Sequence, residues 1–188
     1  MNDKKNIGRV GACIMVLCGV FAAGCASVPM KPVKVIAAPP PETVLVTFVR
    51  QSIFAGDGIK VDVWDGTHYI GSLAAGTLVQ YRTTPGEHLF LGAAENWSYA
   101  TGSLVAGKQY FIKANMFPGI GVARVAWGVA EATDERIPKW RKWQAMAPDQ
   151  AKRAAFETKS QAKIQGAVKK FEDGAISSFA DIKPENAL

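Results

Sequence analysis

The chain has 188 residues and a formal net charge of +6. This length suits a single domain with enough chain to bury a core. Its positive charge is modest and not gathered into one basic segment, so we predict no nucleic-acid partner.

The first 24 residues have the layout of an export signal. Residues 1–9 carry three basic side chains, residues 10–23 form an apolar run, and small residues stand directly before Cys25. A basic start, an apolar stretch and small residues at the cleavage position are typical of a secretory signal peptide. A cysteine directly after the small residues resembles the lipobox of bacterial lipoproteins. In those proteins the peptide is cut before the cysteine, which is then acylated on its sulfur and on its new N-terminus.

Two alternatives for this segment are an uncleaved anchor and a plain secretory signal. The apolar run is shorter than the roughly 20 residues that a membrane span needs. We therefore predict a lipoprotein signal peptide over residues 1–24 and a lipid on Cys25. Cleavage removes Cys13 and Cys18, so the acylated product would have no thiol for a disulfide or a metal site. Ala26 follows Cys25 where an Asp would signal retention in the inner membrane, which predicts the outer membrane if enteric-type sorting applies.

Residues 25–42 are predicted to be the lipidated cysteine and a proline-rich tether. Five prolines occur between residues 29 and 41, three of them consecutive. Such a run favours extended polyproline II structure, at about 3.1 Å per residue. A tether of this length could hold a domain up to roughly 50 Å from the bilayer.

Residues 43–132 are predicted to form a β-sandwich domain. Short runs rich in Val, Ile, Tyr, Phe and Trp alternate with turn residues at regular spacing, and no helical period interrupts them. Asp65-Gly66 is typical of a tight hairpin, and Pro85-Gly86 of a turn that needs a fixed φ followed by a permissive residue. About seven or eight strands result, which favours a mainly β fold, an antiparallel sandwich or open barrel.

Several motifs within residues 46–115 resemble the bacterial domain-of-unknown-function family 2846, and some of the turns also resemble PEGA-like surface modules. The matching motifs are Phe48-Val49-Arg50 with Phe54, Val61-Asp62-Val63-Trp64-Asp65-Gly66, Ile70-Gly71, Leu73, Gly76, Pro85-Gly86-Glu87-His88 and Ala106-Gly107-Lys108-Gln109-Tyr110-Phe111. The resemblance implies a small β-sandwich that is often carried on predicted lipoproteins. It implies no catalytic residue, because the family has no established activity.

Residues 133–188 are predicted to be a C-terminal helical extension with an amphipathic helix over residues 147–173. Apolar residues including Phe156, Ile164 and Phe171 fall on one stripe at three- and four-residue spacing. We expect this stripe to contact protein, either the sandwich itself or a partner. A helix that lies on a membrane is the alternative.

Aromatic residues supply the candidate contact sites. Trp97 and Tyr99 stand where a loop enters a strand, and exposed rings there could stack on a sugar or a peptide. Trp140 and Trp143 alternate with cations just before the helix, a composition that suits a membrane interface. The alternative for Trp97 and Tyr99 is that one ring is buried and the other lies on the rim. For Trp140 and Trp143 the alternative is a surface turn that folds back on the sheet with its cations solvated. With Phe171 on the helix, these residues are the predicted ligand or partner contacts.

No side-chain pattern predicts catalysis. His68 and His88 each follow a turn and have no third ligand at metal-site spacing. The chain has no Gly-x-Ser-x-Gly nucleophile turn, and candidate carboxylates such as Asp62 and Asp65 stand near turns, where Asp is expected. We therefore predict no enzyme, no cofactor and no metal.

The combined prediction is a lipid-anchored bacterial envelope protein on the periplasmic side of the outer membrane. Its domain would be a non-catalytic interaction or structural module with an envelope protein as partner. The alternative is a sandwich that binds a small ligand, carbohydrate or peptidoglycan. An open apolar cleft with Trp97 or Tyr99 at its mouth would favour the ligand, and a flat apolar patch or open sheet edge would favour the partner.

Overall fold

The structure is a computed structural model that describes residues 27–53, 57–118 and 123–188, so Cys25 and Phe54 lie outside the described residues. Within those ranges the chain is mainly β, with eleven strands and one long helix. The strands are β1 (Met30–Val33), β2 (Val44–Arg50), β3 (Val61–Asp65), β4 (His68–Leu73), β5 (Thr77–Thr83), β6 (Gly86–Ala93), β7 (Trp97–Leu104), β8 (Gln109–Pro118), β9 (Ala123–Val129), β10 (Gln144–Pro148) and β11 (Ala180–Ile182). The helices are the single turn α1 (Ile137–Trp140) and α2 (Gln150–Glu172), and a 3₁₀ turn spans Pro184–Asn186.

The strands form two sheets with mixed strand directions. Sheet A has the order β1-β10-β5-β2-β8-β9, and sheet B has the order β11-β7-β6-β3-β4. Three pairs, β2 with β8, β5 with β10 and β7 with β11, are parallel. The eight predicted strands are present as β2 to β9, but the prediction of a purely antiparallel arrangement with seven or eight strands was wrong. Parallel partners need long crossovers rather than hairpins, so no local turn signal announces them.

Side chains from both sheets share one core. The ring of Phe48 in sheet A lies 5.3 Å from that of Phe90 in sheet B, edge to face, and 5.5 Å from that of Trp127. Phe48 and Phe90 are fully buried. Gly92 is part of this packing, because a Cβ at that position would lie 2.6 Å from the indole of Trp127.

Each sheet also has an apolar outer face that a C-terminal segment covers. On sheet B, Ile164 and Ala167 of α2 pack against Trp64. On sheet A, Trp140 of α1 packs against Phe111. Trp64 and Phe111 are 2% and 1% exposed, so both are buried, on the outer faces of their sheets.

Helix α2 matches its predicted extent closely. The side chain of Asp149 caps its first turn by accepting a hydrogen bond from the backbone N–H of Ala151, at 3.1 Å. Gly174 follows the helix with a φ of 68°, the left-handed conformation that commonly ends helices. No helix in the described ranges is long and apolar enough to cross a membrane.

The segment predicted as a tether is bound to the domain instead. Val28 is 3% exposed and packs in the cluster beneath α2, and strand β1 pairs with β10 at the edge of sheet A. The carbonyl of Pro29 accepts from the backbone N–H of Asp149 at 2.8 Å. Further along, the amide side chain of Gln80 makes two hydrogen bonds with the backbone of Ile36. Residues 28–36 therefore cannot act as a long spacer.

Proline content misled this prediction. Pro32 stands within β1, and proline is tolerated in a strand at the edge of a sheet because one side of the strand needs no partner. The buried side chain of Val28 and the packed side chain of Met30 alternate with those of Pro29 and Lys31. Such alternation indicates a strand, and counting prolines does not detect it.

Candidate functional site

A pocket of about 400 Å³ lies between α2, sheet B and the beginning of the described chain. We call it the lysine-rimmed pocket. Its apolar lining is mostly aromatic, and its polar lining combines two lysines with one carboxylate. The lining residues that matter here are Ser27, Asp62, Trp64, Trp97, Phe156, Lys159, Ser160, Lys163 and Ile164.

Strand β3 supplies the inner wall. Val61 and Val63 point into the core between the sheets, so Asp62 and Trp64 face outward, toward α2. The ring of Trp64 stacks on Phe156 of α2, with 5.7 Å between centroids. This contact fixes the helix over the strand and makes the back of the pocket aromatic.

Asp62 is a largely buried carboxyl with an internal hydrogen-bond network. The hydroxyl of Ser72 donates to Oδ1 of Asp62, and the hydroxyl of Tyr69 lies 3.5 Å from the same atom. Burial raises the pKa of Asp62 above its ordinary value, while the hydrogen bond from Ser72 and the positive charge of Lys163 oppose that rise. Burial also raises the pKa of Tyr69. The carboxyl is therefore already engaged by protein groups.

The rim carries two cations. Lys159 and Lys163 are one helical turn apart on α2, so both ammonium groups lie on the same face, and both side chains are exposed. Nζ of Lys163 lies 5.4 Å from the ring centroid of Trp97, close enough for a cation–π contact. An anion at the mouth could be reached by both lysines at once.

Glu157, an acidic residue on this part of α2, has a structural role. Glu157 accepts from the backbone N–H of Tyr69 at 2.8 Å, and His68 lies 3.2 Å from the same carboxylate oxygen. These contacts join α2 to β4. Glu157 does not line the pocket, so it does not neutralise the lysine rim.

Two of the predicted contact residues, Trp97 and Tyr99, prove to have different roles. Trp97 is half-buried and forms part of the pocket wall. Tyr99 is 5% exposed, and its hydroxyl donates to the backbone carbonyl of Ala167 at 3.2 Å. Tyr99 thus holds α2 on sheet B, and the expectation of an exposed ligand contact fails for it because α2 covers its ring.

Phe171 also makes an internal contact. Its ring stacks on Tyr99 at 5.9 Å and meets Phe179 edge to face at 5.8 Å. With Phe156 and Ile164 it packs on the outer face of sheet B, so the helical stripe contacts the chain's own domain.

The tryptophan pair before α2 packs on sheet A. Trp140 is 2% exposed, and Arg136 lies over its ring at 5.1 Å. Trp143 is half-buried against the same cluster. Trp140 is therefore not a surface contact, because the segment folds back on the sheet and covers Phe111, which is the alternative given for this pair.

The second histidine is held between two acceptors. Nδ1 of His88 lies 2.8 Å from a carboxylate oxygen of Asp65, and Nε2 lies 3.0 Å from the backbone carbonyl of Thr84. Both ring nitrogens donate only when the ring is protonated, and the bond to Asp65 is the main cause that raises the pKa of His88. Among the described residues there is no group of three or more His, Cys, Asp or Glu suited to hold a metal ion.

A second groove, of about 510 Å³, lies on the other side of Trp97. Tyr99, Ile176 and the β8–β9 hairpin line it, and Phe117 of that hairpin is 52% exposed. Trp97 therefore separates two concave surfaces.

No local sequence signal indicates the lysine-rimmed pocket, because its walls come from four distant segments. Asp62 and Trp64 alternate with buried valines, which marks them as residues of the opposite face, and Lys159 and Lys163 have the spacing of one helix face. Only the docking of α2 on β3 brings the two pairs together.

No family model and no curated protein matches the chain. One solved structure, described as the NMR structure of a protein from Eubacterium rectale, resembles part of it, with 13% sequence identity and a TM-score of 0.31. The match covers 50% of this chain and 94% of that one. A score of this size carries no argument.

Proposed function

We propose that this chain is a lipid-anchored bacterial envelope protein whose domain is a non-catalytic binding module. Cys25 would carry the lipid, and the domain would face the periplasm from the outer membrane. The two sheets would form a sandwich, as in the family that residues 46–115 resemble. The membrane, through the lipid, and an envelope protein are the proposed partners, without nucleic acid.

The observation that supports this proposal most directly is the packing of the described residues that follow Cys25. The predicted processing site precedes Cys25, and Val28 is already buried in the cluster beneath α2. Cleavage before Cys25 would therefore leave Val28 and the described packing around it in the product.

Binding rather than catalysis is supported by the engagement of the polar groups near the pocket. The carboxyl of Asp62 is bonded by Ser72 and Tyr69, and His88 is bonded on both nitrogens. The hydrogen bonds of Asp62 and His88 therefore stabilise the pocket wall and the strands that carry these residues. Concave apolar surfaces with a few convergent polar groups are typical of ligand sites.

The small-ligand alternative also has a specific observation in its favour. Trp97 lies in the wall of both concave surfaces, and an aromatic ring at the mouth of a cleft suits a sugar ring or another flat apolar face. A carbohydrate or peptidoglycan fragment is therefore the second candidate occupant.

Lipid attachment can be tested by growing cells with an alkyne-tagged fatty acid and comparing the wild-type chain with Cys25→Ser. We expect the variant to lose the label and to leave the membrane fraction or remain unprocessed, because stable anchoring needs more than one membrane signal. Cys18→Ser is the matched control, since it makes the same change within the predicted signal and should keep the label. Equal labelling and membrane association of Cys25→Ser would overturn the proposal.

A further inference from the structure

We propose that the lysine-rimmed pocket binds one acyl chain of an anionic phospholipid, with the headgroup phosphate held by Lys159 and Lys163. This ligand class deepens the proposed function and rests on it for the source of the lipid, the membrane in which Cys25 is anchored. Three observations carry the inference: the position of Ser27 in the lining, the size and lining of the pocket, and the charge at its rim.

The pocket lies within a short covalent reach of the anchor. Ser27 is part of its lining, and Ser27 is the second residue after Cys25. An extended chain advances at most about 3.6 Å per residue, so the two Cα atoms are no more than about 7 Å apart whatever path the chain takes. A lipid on Cys25 therefore keeps the mouth of the pocket at the level of the headgroups.

The size and lining suit a hydrocarbon chain. A dry apolar cavity of about 150 Å³ accommodates benzene, so a pocket of about 400 Å³ has room for roughly 15 carbons. Phe156 and Trp97, both half-buried, supply the accessible part of an apolar wall for such a chain, and the buried side chains of Trp64 and Ile164 lie behind it. A sugar would instead need hydrogen bonds along the wall. The carboxyl of Asp62 is already engaged by Ser72, which leaves Ser27, Ser160 and the two rim lysines to supply them.

The rim selects for an anion. Lys159 and Lys163 are both exposed and stand on one face of α2, and the nearby carboxyl of Asp62 is set deeper, in a largely buried position. Two cations against one carboxyl leave the mouth positive. A phosphate diester matches that charge while its acyl chain enters the pocket, and a zwitterionic headgroup would add an ammonium close to the lysines.

Quenching of tryptophan fluorescence by brominated lipids tests the proposal. The full chain, as purified from membranes, is placed in phosphatidylcholine vesicles that contain phosphatidylglycerol with brominated acyl chains. Two of the five tryptophans, Trp64 and Trp97, line the pocket, so we expect quenching to approach two fifths of the emission. Brominated phosphatidylcholine in the same amount should quench much less.

Two variants separate the headgroup from the chain. Lys159→Gln with Lys163→Gln should lower the preference for phosphatidylglycerol by roughly 30-fold, since each lysine near an anionic lipid is worth about a factor of five. Ser160→Phe changes no charge but fills the pocket, and it should abolish the quenching. The matched control, Lys139→Gln with Lys142→Gln, removes the same charge from two exposed positions on the other side of the molecule and should behave as wild type. Unfolding curves of every variant must show the wild-type midpoint.

Each other outcome overturns the inference. Equal quenching by the two brominated lipids would show that the lysines do not recognise the headgroup. Full quenching in Ser160→Phe would indicate surface contact with the bilayer without entry of an acyl chain. Displacement of the brominated chain by peptidoglycan fragments, with no preference among lipids, would favour the carbohydrate candidate. A chain recovered without lipid contradicts the proposed function alone. The same variants are then titrated with dibromostearate in solution, where an absence of quenching in the wild type refutes the pocket as well.

Discussion

The first prediction concerns the packing of the N-terminal segment. Val28 is 3% exposed and lies with Trp64 and Ile164 in the cluster beneath α2. Val28→Ala removes two carbon atoms from a buried position. Their transfer free energy is about 1.6 kcal/mol, and the cavity left behind adds to it, so we expect a loss of about 2–3 kcal/mol in the free energy of unfolding. For a domain of this size that corresponds to a fall of roughly 5–10 °C in Tm.

Urea unfolding, followed by tryptophan fluorescence, measures the effect. Val35→Ala is the matched control because it makes the same chemical change in the same segment, at a side chain that is 36% exposed. Its free energy of unfolding should stay within about 0.5 kcal/mol of that of the wild type. If both variants unfold like wild type, the segment does not pack as described, the tether of the sequence prediction is restored, and the short reach from Cys25 to the pocket is lost with it.

Two further predictions concern a histidine and the helix. The bond to Asp65 is the main cause that raises the pKa of His88, so the protonated ring stabilises the fold below about pH 6.5, and this stability should be lost as the pH rises through the folded-state pKa. His88→Gln should flatten that part of a plot of urea midpoint against pH. An unchanged slope would contradict the charged pairing. Phe171→Asp places a carboxylate against Tyr99 and should lower the free energy of unfolding of the purified chain by about 2–3 kcal/mol. The control Phe117→Asp, at a side chain that is 52% exposed, should change that free energy by less than about 0.5 kcal/mol. Equal effects of the two variants would show that Phe171 has no internal role.

Local pattern predicted the strands well where each strand carries its own signal. Strands β2 to β9 have alternating apolar residues bounded by turns, and the Asp65-Gly66 turn holds its glycine at a φ of 53°, as a tight hairpin requires. Such signals depend on neighbours along the chain only. They therefore survive without knowledge of the tertiary structure.

The strands that were missed depend on partners far away in sequence. Strand β11 has three residues, and it exists because the edge of β7 offers unpaired backbone groups. The approach is close, since a Cβ on Gly102 of β7 would lie 2.0 Å from the carbonyl oxygen of Ile182. Strand β10 likewise pairs with β5 and β1. A short segment with few β-branched or aromatic residues acquires strand structure from the edge it meets, which no local propensity reports.

The aromatic residues show the same limit at the level of the site. Trp97 and Tyr99 are two residues apart on one strand face, yet α2 covers Tyr99 and leaves Trp97 at a rim. Trp140 and Trp143 have the composition of a membrane interface, but their segment packs on sheet A. Composition describes what a surface could bind, whereas burial depends on which elements dock on it.

The docked N-terminal segment changes the physical meaning of a lipid on Cys25. A tether would average the orientation of the domain over a wide volume and leave the choice of membrane-facing surface to diffusion. A segment fixed at Val28, by burial under α2 and by the bond from Asp149 to Pro29, would restrict the proposed lipid on Cys25 to one side of the molecule. That side holds the lysine-rimmed pocket, and Lys159 and Lys163 would then meet the headgroups at a high effective concentration. A modest intrinsic affinity for an anionic lipid would be sufficient there, since the anchor has already met the entropic requirement of association.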